Sequence, residues 1–301
     1  MIACDLGSNT FRVVQMDCGT KERVKEFEKI VKTADGLQQS GEISKASVNR
    51  IIEAINEAKK VIDFANDEVY AVATAALRRA ANQEKVLNRI KKETGILFEV
   101  IGGTQEANLT ALAVKEALKK LDLEYQDFIL LDLGGGSSEL YIRKEDRAFI
   151  KSFDLGIVTL TQKYNSYEDV LKCIENETKD IRKFVKEIYA TFQKPKVFVS
   201  TAGTATTLAA FKMGLDYKSY DHDKVNGVKL TVLEIEELLK KLLSFDDEER
   251  CRWVGVGRSE LIFSGIAILK SILSISDFDE MIVIDDGLRE GLALSKCNDK
   301  S

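Results

Sequence analysis

Proline and histidine are nearly missing from this 301-residue sequence, which has one of each, Pro195 and His222. A single proline excludes collagen-like and Pro-rich linker architectures. A single histidine excludes a multi-histidine metal centre and would leave any Ser-His-Asp or Cys-His mechanism to His222 alone. The five cysteines, Cys4, Cys18, Cys173, Cys251 and Cys297, are odd in number and far apart, and no CxxC occurs. That usage suits a reducing compartment and packing roles rather than a disulfide framework. No apolar run approaches the ~18 residues of a membrane span. The start, MIACDLGSN, lacks a basic region and meets an aspartate at position 5, so it does not read as a signal peptide; a cytoplasmic protein is expected. A basic surplus is absent too: 44 Lys+Arg face 49 Asp+Glu, a net charge of -5. A general nucleic-acid binder is excluded, and any polyanion must be held by a local site. Neither G-x-x-x-x-G-K-[ST] nor G-x-G-x-x-G is present, so P-loop and Rossmann fingerprints do not apply.

Apolar residues are plentiful at 45%, with 31% charged, which suits one large domain or two ordinary ones. The first ~30 residues read as three strands with glycine-containing turns. A helix is expected from about Ser44, because Val48, Ile51, Ile55, Ala58, Ile62 and Ala65 step by three and four along one face. VYAVAT and ILFEVI read as strands, 83–94 as a helix that Gly95 terminates, and 105–120 as another helix. The pattern then restarts with FILLD, ELYIR and AFIKSF as strands, one long helix over about 167–190, the strand KVFVS, and a helix opened by TAGTATTLAAF. Helices over 231–244 and about 259–275, the strand MIVID and a last helix at GLREGLAL complete the reading.

The restart carries the most information. IACDLGSNTFRVV lays over ILLDLGGGSSELYI with Asp5 on Asp132 and Gly7 on Gly134. Both copies continue with a third strand and then helix. Two α/β domains of related topology, 1–122 and 123–301, are expected to face each other across a cleft, with the last helix a candidate to pack back on the first.

Glycine turns after strands aim several backbone N–H groups at one spot, which suits phosphate. The first turn offers Gly7, Ser8 and Asn9; the second offers Gly134, Gly135, Gly136 and Ser137. Each turn could also be an ordinary hairpin. STAGTATTLAA is a third small-residue segment, where Gly203 and Thr204 open a helix at its positive end. Asp5 and Asp132 end their strands, and Glu139 and Glu106 add two more acids near the turns. Close carboxylates need a cation or a proton between them, and oxygen-rich sites of this kind suit Mg²⁺.

These segments, in order, resemble the exopolyphosphatase / guanosine pentaphosphate phosphohydrolase (Ppx/GppA) family of the actin-like superfamily. ACDLGSNTFRVV resembles its opening phosphate loop, GLQQSGEIS its next stretch, and VATAALRRAANQ its arginine motif. VIGGTQEANLT resembles its catalytic-glutamate motif, LLDLGGGSSELYI its second phosphate loop, and SFDLGIVTLT the segment after that. STAGTATTLAA, GRSELIFSGIAIL and DDGLREGLAL complete the series. The resemblance implies two actin-like (ribonuclease H-like) domains and a hydrolase releasing terminal phosphate from inorganic polyphosphate with a divalent metal, usually Mg²⁺. It places the catalytic glutamate at Glu106, the arginine at Arg78, and the metal carboxylates at Asp5, Asp132 and Glu139. Guanosine pentaphosphate is the alternative substrate. A superfamily kinase, a nucleotide-binding protein and a non-enzymatic binder are further alternatives, and a homodimer is left open. The chain departs from the family pattern at Gln105 (often Glu), Gly102 (usually Ser) and Asn226 (often His). Longer relatives continue into helical domains beyond this chain's end, so short polyphosphates are expected to be preferred.

Overall fold

The computed structural model describes residues 1–123, 125–164 and 166–299. The chain divides into two compact units: residues 1–114 with 286–301, and residues 115–285. The division falls inside a helix rather than at 122/123, and the C-terminal residues return to the first unit.

The first unit contains strands β1 (Ile2–Leu6), β2 (Thr10–Asp17), β3 (Glu22–Ile30), β4 (Val69–Ala73) and β5 (Phe98–Val100). Its helices are α1 (Leu37–Ser40), α2 (Lys45–Val61), α3 (Ala75–Arg79), α4 (Gln83–Thr94) and most of α5 (Gly103–Lys120). The sheet order is β3-β2-β1-β4-β5. β1, β4 and β5 are mutually parallel, while β2 and β3 form antiparallel hairpins beside them. Helix α2 starts where the Ser44 hydroxyl accepts the Ser47 N–H, a cap worth about 1 kcal/mol. It buries the expected Val48, Ile51, Ile55 and Ala58. It ends at Val61, so Ala65 lies beyond it and is exposed, contrary to the sequence reading. Gly95 ends α4 in the left-handed region, its N–H bonded to the Lys91 carbonyl.

The second unit contains β6 (Phe128–Leu133), β7 (Ser138–Lys144), β8 (Arg147–Phe153), β9 (Val197–Thr201), β10 (Lys229–Thr231) and β11 (Glu280–Val283). Its helices are α6 (Ile157–Lys163), α7 (Tyr167–Glu177), α8 (Lys179–Tyr189), α9 (Gly203–Lys212), α10 (His222–Val225), α11 (Val232–Ser244), α12 (Asp247–Val254) and α13 (Leu261–Ile275). The order is β10-β11-β9-β6-β7-β8. Without β10 this repeats the first sheet, as the aligned strand–turn–strand segments implied. The long helix expected over 167–190 is two helices broken at Thr178, whose hydroxyl bonds back to the Ile174 carbonyl and to Ser271. A side chain that competes for the backbone in this way bends or interrupts a helix.

The last helix, α14 (Leu288–Asn298), packs Leu288, Leu292, Ala293 and Leu294 against Ala3, Val14, Met16 and Val72 of the first sheet. A charge network fixes its start: Arg289 bonds Glu26 at 2.8 Å and Glu290 at 2.6 Å, and Arg23 bonds Asp286 at 3.1 Å. Its end is tied covalently, because Cys18 and Cys297 form a disulfide. This overturns the expectation that all five cysteines serve only packing; the two partners lie 279 residues apart in sequence, so no local spacing announced them. Cys4, Cys173 and Cys251 are free. Breaking the bridge by Cys18→Ser should lower the melting temperature of oxidised protein, since losing a native disulfide costs about 2–5 kcal/mol. Reduced protein should be little affected by the same change. Equal melting of oxidised variant and oxidised wild type would show that the bridge contributes nothing.

Candidate functional site

In each unit the sequence-selected residues gather at the carboxyl ends of parallel strands, where open α/β sheets place their ligands. In the first unit β1 ends at Leu6, β4 at Ala73 and β5 at Val100. The segments leaving them are joined by backbone bonds, Thr74 N–H to the Leu6 carbonyl and Ile101 N–H to the Ala73 carbonyl. The Gly7–Asn9 turn, Arg78 and Glu106 all follow these strand ends. Asp5 is buried near the end of β1, directly opposite Arg12 of β2. Gly7 closes its turn with an N–H to the Thr10 carbonyl at 3.0 Å.

Arg78 and Glu106, 28 residues apart in sequence, meet as an ion pair at 3.4 Å. The Arg78 Nη1 also donates to the Ile101 carbonyl at 2.8 Å, which anchors the guanidinium against the end of β5. Glu106 occupies the first turn of α5, at the helix's positive end, and is 8% exposed. Gln105 beside it is exposed. Nothing lies within 4 Å of where a Cβ on Gly102 would be, so the replacement of the usual serine leaves open space there.

In the second unit Asp132 stands directly opposite Glu139 of β7 and beside Thr201 of β9. Directly opposed like charges are unfavourable unless something positive or a proton mediates. Glu139 is 2% exposed and accepts a hydrogen bond from Ser152 at 2.7 Å. The Gly134–Ser137 turn is held from one side. Its carbonyls at Gly134 and Gly135 accept the N–H groups of Ile157, Val158 and Thr159 at the start of α6. Among the described residues no backbone carbonyl takes the N–H of Gly135 or Gly136. Fixed backbone donors of this kind are what an anion needs. A Cβ on Gly134 would come within 2.9 Å of the Ser137 carbonyl, and one on Gly156 would overlap Gly135 and Gly136. Gly156 and Ser152 were not singled out in the sequence; their place in SFDLGIVTLT was the available signal for both.

The third segment lies at the end of β9. Gly203 opens onto free space, whereas the Thr204 side chain is buried against Gly265 of α13, leaving its backbone N–H as the group for a ligand. Ala202, just before them, has φ 68 and ψ 177, a region used almost only by glycine and costing about 1–3 kcal/mol. Such strain persists where function holds it. Ala202→Gly should therefore stabilise the protein by about 1 kcal/mol after the added entropy of the unfolded chain. Urea unfolding would measure this, and a lower midpoint would refute the strain. The Asn226 side-chain carbonyl oxygen accepts the Asp285 N–H at 2.7 Å and so secures the segment leaving β11.

For a divalent cation, no group of three His, Cys, Asp or Glu side chains forms a cage among the described residues. The donors that would suit one are the facing pair Asp132 and Glu139 of the second unit; Asp5 is the corresponding strand-end carboxylate of the first unit. Two carboxylates suit Mg²⁺, which keeps waters and relies on substrate phosphates for the rest of its shell.

A family model for the Ppx/GppA phosphatase family matches residues 13–300. The chain belongs to that family. Among Ppx/GppA relatives, exopolyphosphatase 1 of Mycobacterium leprae is 25% identical, over 99% of this chain and 89% of its own length. A solved Ppx/GppA protein of Aquifex aeolicus is 32% identical with a TM-score of 0.74, covering 100% of this chain and 98% of that one. An exopolyphosphatase structure from Cytophaga hutchinsonii, at 23% identity and a TM-score of 0.86 over 98% of this chain and 97% of that one, shows the shared fold. The fold is the two-domain actin-like fold of Ppx/GppA proteins. Membership makes the chain a phosphatase acting on phosphoanhydride bonds. Among the described residues no helix is long and apolar enough to cross a membrane.

Proposed function

We propose that this chain is an exopolyphosphatase that removes terminal phosphate from inorganic polyphosphate. The Arg78–Glu106 pair at the strand ends of the first unit carries the reading. A buried carboxylate held by an anchored guanidinium beside a glycine turn suits activation of water next to bound phosphate.

In the proposed reaction, water attacks the terminal phosphorus in line with the bridging oxygen. Glu106 takes the water's proton as the new O–P bond forms. The bridging O–P bond breaks, and its electron pair leaves with the shortened chain. Arg78 meets the negative charge carried by the transferring group. Each unit offers its own donors to phosphate oxygens: the N–H groups of Gly7, Ser8 and Asn9 in the first, and those of Gly134, Gly135, Gly136, Ser137, Gly203 and Thr204 in the second. A divalent cation, Mg²⁺ for preference, would supply further charge neutralisation when bound, with the facing Asp132 and Glu139 as its donors in the second unit; Asp5 is the candidate donor in the first.

The test is phosphate release from short polyphosphate, long polyphosphate and guanosine pentaphosphate side by side, with and without chelator. Polyphosphate is expected to be a better substrate than guanosine pentaphosphate, with activity lost in chelator and restored by Mg²⁺. A clear preference for guanosine pentaphosphate would replace this reading by the other activity in the family's name. Full activity after exhaustive metal removal would end the cation assignment.

A further inference from the structure

The Gly7–Asn9 turn is held from behind by a strap, residues 31–35, that joins β3 to α1. The N–H groups of Val31 and Lys32 both donate to the Asn9 carbonyl at 2.9 Å, and the Ala34 N–H donates to the Ser8 carbonyl at 2.8 Å. A trans peptide carries its C=O and N–H on opposite sides. Fixing the Ser8 carbonyl therefore fixes the direction of the Asn9 N–H, one of the donors offered to phosphate. The strap is itself held from α2. Arg50 Nε donates to the Val31 carbonyl at 2.8 Å, and its Nη2 donates to the Lys32 carbonyl at 3.2 Å and to Asp35 at 3.2 Å. The same nitrogen donates to the Ser47 hydroxyl at 2.9 Å, and Ser47 donates to the Lys32 carbonyl at 3.0 Å. Lys32 sits at φ 49, where a non-glycine residue stays only if its surroundings hold it. One guanidinium thus spans the two carbonyls whose own residues donate to Asn9.

We infer that Arg50 is a positioning residue for the phosphate turn, acting through the strap and never touching substrate. The inference rests on the reading that the Gly7–Asn9 turn binds substrate phosphate. A planar fork with several fixed donors can bridge two carbonyls, whereas a lysine ammonium holds one point. The side chain is part-exposed, so its removal loosens the strap without opening a core.

The probe is inorganic tripolyphosphate, followed by calorimetry, steady-state kinetics and amide hydrogen exchange on the full chain. Arg50→Ala should weaken tripolyphosphate binding about tenfold, the scale of one lost charge-assisted hydrogen bond. KM should rise in step while kcat changes much less, and the amides of Val31, Lys32 and Ala34 should exchange faster. Arg50→Lys should behave like Arg50→Ala. Recovery of wild-type affinity by lysine would overturn the inference, because it would show that charge alone matters. Ser47→Ala, which removes the second donor to Lys32, should shift affinity in the same direction and serves if Arg50→Ala does not fold. Unchanged affinity in both variants would also overturn it. Exchange at Asn9 separates the two readings. If tripolyphosphate slows that amide in wild type yet binds Arg50→Ala normally, only the role of Arg50 fails. If it binds wild type without slowing that amide, the phosphate-turn reading fails and takes this inference with it.

Discussion

Glu106→Gln is expected to slow phosphate release by about 10²–10⁴ while leaving fold and substrate binding in place, the loss typical of a removed general base. The two side chains have the same size, so the first turn of α5 should repack unchanged. The glutamine carbonyl oxygen can still accept from Arg78 Nη1, now 3.4 Å from the carboxylate, so the guanidinium keeps its place beside the Ile101 carbonyl. What disappears is the capacity to take a proton from water. KM for short polyphosphate and the melting temperature should therefore stay near wild type as kcat collapses. Near-normal turnover would remove Glu106 from the mechanism. A collapse of KM and stability together would instead mean that the ion pair is chiefly structural.

The residues that strand ends place by local rules were legible in the sequence. Asp5 and Asp132 close apolar runs before glycine turns, and a strand that must end in a tight turn writes both features into a few neighbouring residues. The repeat was legible for the same reason, and the two sheets share one strand order once β10 is set aside. What stayed hidden depends on partners distant in sequence. The Thr178 break depends on Ser271 and a hydroxyl that bonds backward, neither of which disturbs the apolar period of 167–190. The Cys18–Cys297 bridge needs the last helix to lie on the first sheet. The division inside α5 follows the same return, since residues 286–301 complete the first unit. β10 was missed because three residues, one of them buried between two less buried ones, carry almost no periodic signal. At the site, Ala202 offers no glycine to betray its positive φ, and Arg50 looks like any charged residue on an amphipathic helix.

Gly291→Ala should be among the most damaging single-methyl additions in the protein. A Cβ at Gly291 of α14 would overlap the backbone carbonyl of Leu109 in α5, with the rest of that residue's main chain close behind. A flexible side chain could swing aside, but a helix backbone can yield only by moving the helix. The change should therefore destabilise the protein by at least about 3 kcal/mol, the upper end of overpacking costs. α14 cannot easily retreat, since Arg289 and Glu290 pin its start and the disulfide pins its end. The strain falls on α5, where Leu109 sits about one turn after Glu106. Activity should fall further than the folded fraction does, because Glu106 moves relative to Arg78. Gly102→Ala provides the matched comparison: it adds the same methyl just ahead of α5, where nothing lies within 4 Å, and should leave stability nearly unchanged. Urea unfolding and phosphate release measured on both variants decide the matter. Equal behaviour of the two would show that the α5–α14 crossing is looser than its close approach at Gly291 implies.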